Sequence, residues 1–118
     1  MPVYSAKNVY RGIVIDVNSL QSFLSKYKEG EILPWNDFTS CAGSESGSFV
    51  NKPNVNIVFE IEQLTARDIS DFADGINYKT PPYPKPEILI PPGKFKSLGN
   101  PVFDPVIGKW RIKVKQIQ

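Results

Sequence analysis

Three short pieces of the sequence hold side chains able to do chemistry: Tyr10-Arg11-Gly12, Phe38-Thr39-Ser40, and Glu87 at the head of the run Ile88-Leu89-Ile90. The chain contains no histidine and a single cysteine, Cys41. Ser-His-Asp and Cys-His catalysis are therefore excluded, the commonest zinc ligand is missing, and no intrachain disulfide can form. Any reaction must run on carboxylates, Arg, Lys, Ser or Tyr. Each piece also has an ordinary structural reading. An arginine in a strand pairs with a surface carboxylate, a strand serine bonds backbone, and a glutamate opening a strand is an edge charge that blocks aggregation. Nucleotide loops are absent: no G-x-G-x-x-G follows a strand, and no G-x-x-x-x-G-K-[ST] occurs.

The elements that must position these residues can be read from periodicity. Residues 8–16, rich in Val, Ile and Tyr, predict a strand around Arg11. Residues 18–30 predict a short helix with Asn18 or Ser19 as cap, Leu20, Phe23, Leu24 and Tyr27 on one face, and Gly30 as its stop. A strand, a turn and a second strand are expected over 31–42, and a flexible polar loop over 43–48. Val55, Ile57, Phe59 and Ile61 alternate with Asn56, Val58, Glu60 and Glu62, the clearest strand of the chain. Thr65 followed by Asp68 reads as the cap of a helical turn. The proline-rich stretch 75–86 is a loop, and 87–90 is a short strand stopped by Pro91-Pro92-Gly93. In the last strand Trp110, Ile112 and Val114 share one face, and Lys109, Arg111, Lys113 and Lys115 the other. The expected architecture is one domain over 1–118, of the α+β class, with mostly antiparallel sheet.

Bulk properties narrow the class. A length of 118 residues, 41% hydrophobic and 22% charged, is that of an ordinary globular domain. The net charge of +2 is too small to imply nucleic acid or membrane. Its distribution is uneven: residues 1–62 sum to −2 and residues 63–118 to +4, which we read as a solvated face on the last strand. No signal peptide and no apolar run of about 20 residues is present. An exported chain of this kind would travel within a larger polypeptide or through a dedicated machine.

Taken together and in order, the three pieces resemble the motifs of mono-ADP-ribosyltransferases of the R-S-E group, the cholera-toxin-like enzymes. The family's first motif is an aromatic residue, Arg and Gly on the first strand, as in "VYRGI". Its second is an aromatic-x-Ser, matched by "DFTSCA" through Ser40, after which Cys41 and Ala42 depart from the usual Thr and Ser. Its third is a glutamate leading into a strand ended by proline, as in "PEILIPPGKF". The resemblance covers residues 9–95 and implies an ADP-ribosyltransferase-like split antiparallel β-sandwich with few short helices.

The resemblance further implies NAD as substrate and no metal. Cleaving the nicotinamide–ribose bond builds positive charge on the ribose, as in glycoside chemistry. Glu87 would stabilise that cation, Ser40 would hold the acid's rotamer, and Arg11 would supply a forked cation to the pyrophosphate or ribose. Tyr10, Gly12, Ser40 and Phe49 would contribute to the NAD site, with Gly12 letting backbone approach the nicotinamide amide. Phe49 has an equally ordinary role in core packing. Tyr78, Tyr83 and Lys85 would face the target from a loop stiffened by Pro81, Pro82, Pro84 and Pro86. Cys41 reads as a small buried residue.

Lys85 departs from the family, which places Glu or Gln two residues before the catalytic acid. A lysine cannot pair with a cationic guanidinium, so arginine is not the expected acceptor. The implied protein is a toxin domain, secreted or delivered into a host or competitor cell, where it acts on a protein target in the cytoplasm, with a carrier polypeptide or cognate immunity protein as further partners and no membrane. Three other readings stay open: an NAD glycohydrolase, ADP-ribosylation of nucleic acid, and an inactive binding relative.

Overall fold

The structure, a computed structural model, describes residues 6–49, 52–68 and 87–117. In chain order the elements are β1 (Asn8–Ile13), α1 (Leu20–Ser25), β2 (Ile32–Trp35), β3 (Thr39–Ala42), a 3₁₀ turn (Ser46–Ser48), β4 (Ile57–Glu62), β5 (Arg67–Asp68), β6 (Glu87–Ile90), β7 (Gly93–Ser97), β8 (Val102–Asp104) and β9 (Lys109–Ile117). The strands follow the order β2-β7-β9-β4-β1-β3-β6-β5, with β8 also paired to β9. The architecture is α+β, as expected, and antiparallel pairing dominates. The exception is β4 against β9, which run parallel from Ile57↔Trp110 to Glu62↔Lys115.

The sheet is divided. β1 joins β4 over six registers but joins β3 at one, Tyr10↔Ala42. That bridge separates the group β2-β7-β9-β4-β1 from the group β3-β6-β5. One core lies between the two groups and α1. Val9, Ile57, Phe59, Ile61, Phe95, Ile112 and Val114 enter it from the larger group, Cys41, Ile88 and Ile90 from the smaller, Leu24 from the helix and Tyr27 from just after it. Burying each large aliphatic or aromatic side chain contributes roughly 1.5–3 kcal/mol relative to exposure. β4 sits in the middle of this packing. Val58, placed on the polar face by alternation, is 1% exposed, as befits a strand covered on both sides.

Several expected elements differ. β1 ends at Ile13, not at residue 16. The helix is confined to Leu20–Ser25, and Ser19 precedes it without a side-chain capping bond. Gly30 lies in the left-handed region (φ 88°) and its N–H donates to the Ser97 carbonyl, so it turns the chain into the sheet. The helical turn expected at 65–68 is a strand, β5, paired with β6 at Arg67↔Leu89. The reason lies in Gln116 of β9. Its Oε1 accepts from the N–H groups of Leu64 and Thr65, and its Nε2 donates to Thr65 Oγ1, so Thr65 is not available as a cap. β7 and β8 had no counterpart in the sequence reading.

The basic face of β9 is only partly solvated. Lys113 and Lys115 are exposed, but Lys109 is buried and its ammonium donates to the Val55 carbonyl at 2.6 Å. Arg111 donates from Nε to Asp104 Oδ2 at 2.8 Å and from Nη2 to Glu45 Oε1 at 2.7 Å, with Nη1 on Glu45 Oε2. Glu45 belongs to the stretch read as a flexible loop. It is instead tied to the sheet, and the Ser48 hydroxyl donates to the Glu45 carbonyl. No helix among the described residues is long and apolar enough to cross a membrane.

Candidate active site

Arg11, Ser40 and Glu87 stand on β1, β3 and β6, three neighbouring strands. Alternation along β1 puts Val9, Arg11 and Ile13 on the face of Ile61, Phe59 and Ile57, the core side. Apolar neighbours suit Val9 and Ile13. The longer Arg11 reaches sideways across the divided sheet instead, and its Nη1 donates to the Ser40 carbonyl at 2.8 Å. A guanidinium bonded to a backbone carbonyl holds its charge in place without neutralising it, which leaves it available to an anion. Ser40 lies opposite Leu89, and Ala42 opposite Glu87. Ile88 and Ile90 are both fully buried. Their alternation pins the register of β6, and with it the backbone position of residue 87.

A cleft of about 210 Å³ lies beside Arg11, lined by Arg11 and Ile13 of β1, Thr39 of β3, and the aromatic rings of Phe23, Tyr27, Trp35 and Phe59. Its aromatic wall is rigid. Trp35 stacks on Phe95 with ring centres 4.0 Å apart, meets Phe59 edge-on, and donates from Nε1 to the Tyr27 hydroxyl at 3.1 Å. Burial raises the Tyr27 phenol pKa, so the hydroxyl stays protonated at neutral pH. The volume falls below the ~300–1,000 Å³ of pockets that swallow a drug-sized ligand, so it suits one ring and not a dinucleotide. Sequence reading assigned Phe23 and Tyr27 to the buried stripe of the helix and gave Trp35 no role. An aromatic stripe at helical spacing carries no signal that one of its edges borders a cleft.

Tyr10, Gly12 and Phe49, also singled out in the sequence, do not line this cleft. Tyr10 faces away from the core, opposite Glu60 on one side and Ala42 on the other. Partial burial, then the charges of Glu60 and Glu45, raise its phenol pKa, and it hydrogen-bonds Glu60. Gly12 touches the 3₁₀ turn, where an added Cβ would overlap the Ser48 carbonyl. The Lys109 ammonium sits 5.1 Å from the centre of the Phe49 ring, a cation–π contact. Tyr78, Tyr83 and Lys85 lie outside the described residues.

Cys41 is buried, as expected, and burial pushes its thiol up to about 12 despite the charge of Arg11 nearby. The thiolate is the reactive species. The native chain is therefore expected to resist a thiol reagent such as 5,5′-dithiobis(2-nitrobenzoate) at pH 8 and to react fully in denaturant. Rapid labelling of the folded chain would contradict this placement.

No protein-family model matches the chain, and no curated protein matches it. Solved structures do. ADP-ribosyltransferase HopU1 of Pseudomonas syringae pv. Tomato matches with a TM-score of 0.71 and 24% identity, over 94% of this chain and 44% of its own. The SpvB ATR domain of Salmonella matches with a TM-score of 0.71 and 18% identity, over 100% of this chain and 65% of its own. The type III effector XopAI of Xanthomonas axonopodis pv. citri matches with a TM-score of 0.68 and 20% identity, over 98% of this chain and 43% of its own. At these identities the likeness is one of fold. The chain spans about 43–65% of the length of these three structures.

Proposed function

We propose that this chain, which has the fold of bacterial ADP-ribosyltransferase domains, transfers ADP-ribose from NAD to a macromolecular acceptor. The observation that carries the reading is the bond from Arg11 to the Ser40 carbonyl at 2.8 Å, which ties β1 to β3, the strand next to the one that begins with Glu87. Three sequence motifs far apart in the chain meet at the division of one sheet, beside an aromatic cleft. The bond between ribose C1′ and the nicotinamide nitrogen breaks, and its electron pair leaves with neutral nicotinamide. A bond then forms from C1′ to the acceptor, whose proton passes to solvent. Glu87 stabilises the ribosyl cation between those events, and Arg11 binds the diphosphate. The aromatic cleft takes the nicotinamide ring.

The acceptor is a protein residue other than arginine, because Lys85 stands in sequence where the family has Glu or Gln, and a lysine cannot pair with a cationic guanidinium. The setting in which this makes sense is delivery into a target cell as a toxin or effector. Incubating the chain with NAD labelled on the adenosine, in host and bacterial lysates, tests both claims. Nicotinamide release together with label on protein is the expected result, and mass spectrometry is expected to localise ADP-ribose outside arginine. Nicotinamide release with no macromolecular label would make water the acceptor. No release above the rate without protein would end the enzymatic reading.

A further inference from the structure

The back of β1 is buttressed by two cations of β9, and both buttresses converge on Gly12. Gln63 N–H donates to the Lys7 carbonyl, and Asn56 N–H to the Ile13 carbonyl, so the odd-numbered residues of β1 bond toward β4. Gly12 therefore turns its own N–H and C=O to the opposite edge, toward β3. The bridge Tyr10↔Ala42 lies just before it, and Arg11, Ile13 and Thr39, which line the aromatic cleft, surround that edge. The Gly12 peptide groups thus point at the strip between β1 and β3, next to residues that line the cleft, although Gly12 itself is not part of its lining.

Behind them, an added Cβ on Gly12 would meet the Ser48 carbonyl and, at 3.0 Å, Val55 Cγ1. Each of these neighbours is held by one β9 side chain. Arg111 forks onto the Glu45 carboxylate, and Glu45 is bonded through its carbonyl to both the N–H and the hydroxyl of Ser48. Asp104 fixes Arg111 from the other side, and its own pKa is held down chiefly by that hydrogen bond. Lys109 donates to the Val55 carbonyl. Partly exposed ion pairs contribute little to stability. A bidentate pair does impose a geometry, however, so the main effect of this arrangement is on position.

We propose that Arg111 is a positioning residue of the site: acting through Glu45, it presses the 3₁₀ turn against Gly12 and so sets the peptide groups that receive the nicotinamide carboxamide. The inference rests on the NAD reading above and goes beyond it, since Arg111 lies behind the strand and touches no substrate.

Calorimetric titration of the whole chain with NAD and, separately, with ADP-ribose tests it. ADP-ribose keeps the diphosphate and both riboses but lacks the nicotinamide. In Arg111→Gln, affinity for NAD is expected to fall about tenfold, the scale of one well-placed hydrogen bond, while affinity for ADP-ribose stays within about twofold. Glu45→Gln, which keeps shape and loses the charge, is expected to do the same and serves if Arg111→Gln proves unfolded by circular dichroism. Equal weakening of both ligands would reduce Arg111 to a general structural residue and overturn the proposal. Unchanged affinity for NAD would overturn it too. Failure of the wild type to bind either ligand would overturn the NAD reading itself, and this inference with it, and is recognised without any variant.

Discussion

Glu87→Gln is expected to slow nicotinamide release by about 10²–10³-fold while leaving the fold intact. Glutamine keeps the shape and a hydrogen-bonding oxygen but not the negative charge. The ribosyl cation exists only near the transition state, so the lost interaction is absent from the ground state and should appear in kcat more than in KM. Removing one preorganised electrostatic group typically costs a factor of this size. Ala42 faces the backbone of Glu87 across one register and the buried Ile88 and Ile90 anchor the strand, so β6 is expected to keep its register in the variant. Nicotinamide release by the two proteins, with thermal unfolding as control, provides the measurement. Rates within threefold of each other would remove Glu87 from the chemistry.

The second large effect is expected from a single methyl group. Gly12→Ala directs a Cβ into the Ser48 carbonyl, with Val55 Cγ1 3.0 Å away. Backbone must move, since no rotamer relieves the overlap. The 3₁₀ turn cannot retreat freely, because Glu45 is forked by Arg111 and Ser48 is bonded to Glu45. Overpacking of this kind costs about 1–3 kcal/mol, which for a domain of this size lowers Tm by roughly 5–15 °C. Whatever fraction remains folded is expected to bind NAD weakly, because relief displaces the Gly12 peptide. Differential scanning calorimetry decides the matter, and a Tm within 1 °C of wild type would show that the turn yields without strain.

Gly12 also illustrates what the sequence could and could not convey. That a glycine follows Arg11 was visible, and the reason read for it was the approach of backbone to a nicotinamide amide, not packing against another part of the chain. The approaching backbone in this structure is Ser48, from a segment read as a loose polar loop. Its partner Arg111 is 66 residues away from Glu45 in sequence, and no local pattern announces such a pair. The same holds for Thr65, a well-formed capping signal overridden by Gln116, and for Lys109, a basic residue on an alternating strand that is nonetheless buried. The sequence signal was reliable where burial is local, as in the apolar run of β6 and the apolar face of β9. It failed where long-range polar partners decide. The cleft was invisible because its walls come from β1, α1, β2, β3 and β4 at once.

β9, which joins the β2-β7 pair to the rest of the sheet, follows every other described strand in the chain. β9 pairs with β4, β7 and β8, and 46 residues separate Glu62 from Lys109. At ribosomal speeds of ~5–20 residues per second, β4 waits about 2–9 s for its parallel partner. Throughout that interval Ile57, Val58, Phe59 and Ile61, each no more than 3% exposed in the finished fold, lack the cover that β9 supplies, although β1 and the rings of Phe23, Tyr27 and Trp35 are already made. Pairing over such a loop is slow in its own right, because closure entropy must be met before the contacts form. A nascent chain is therefore expected to be sticky along β4 until β9 emerges, and this favours handling by a holdase.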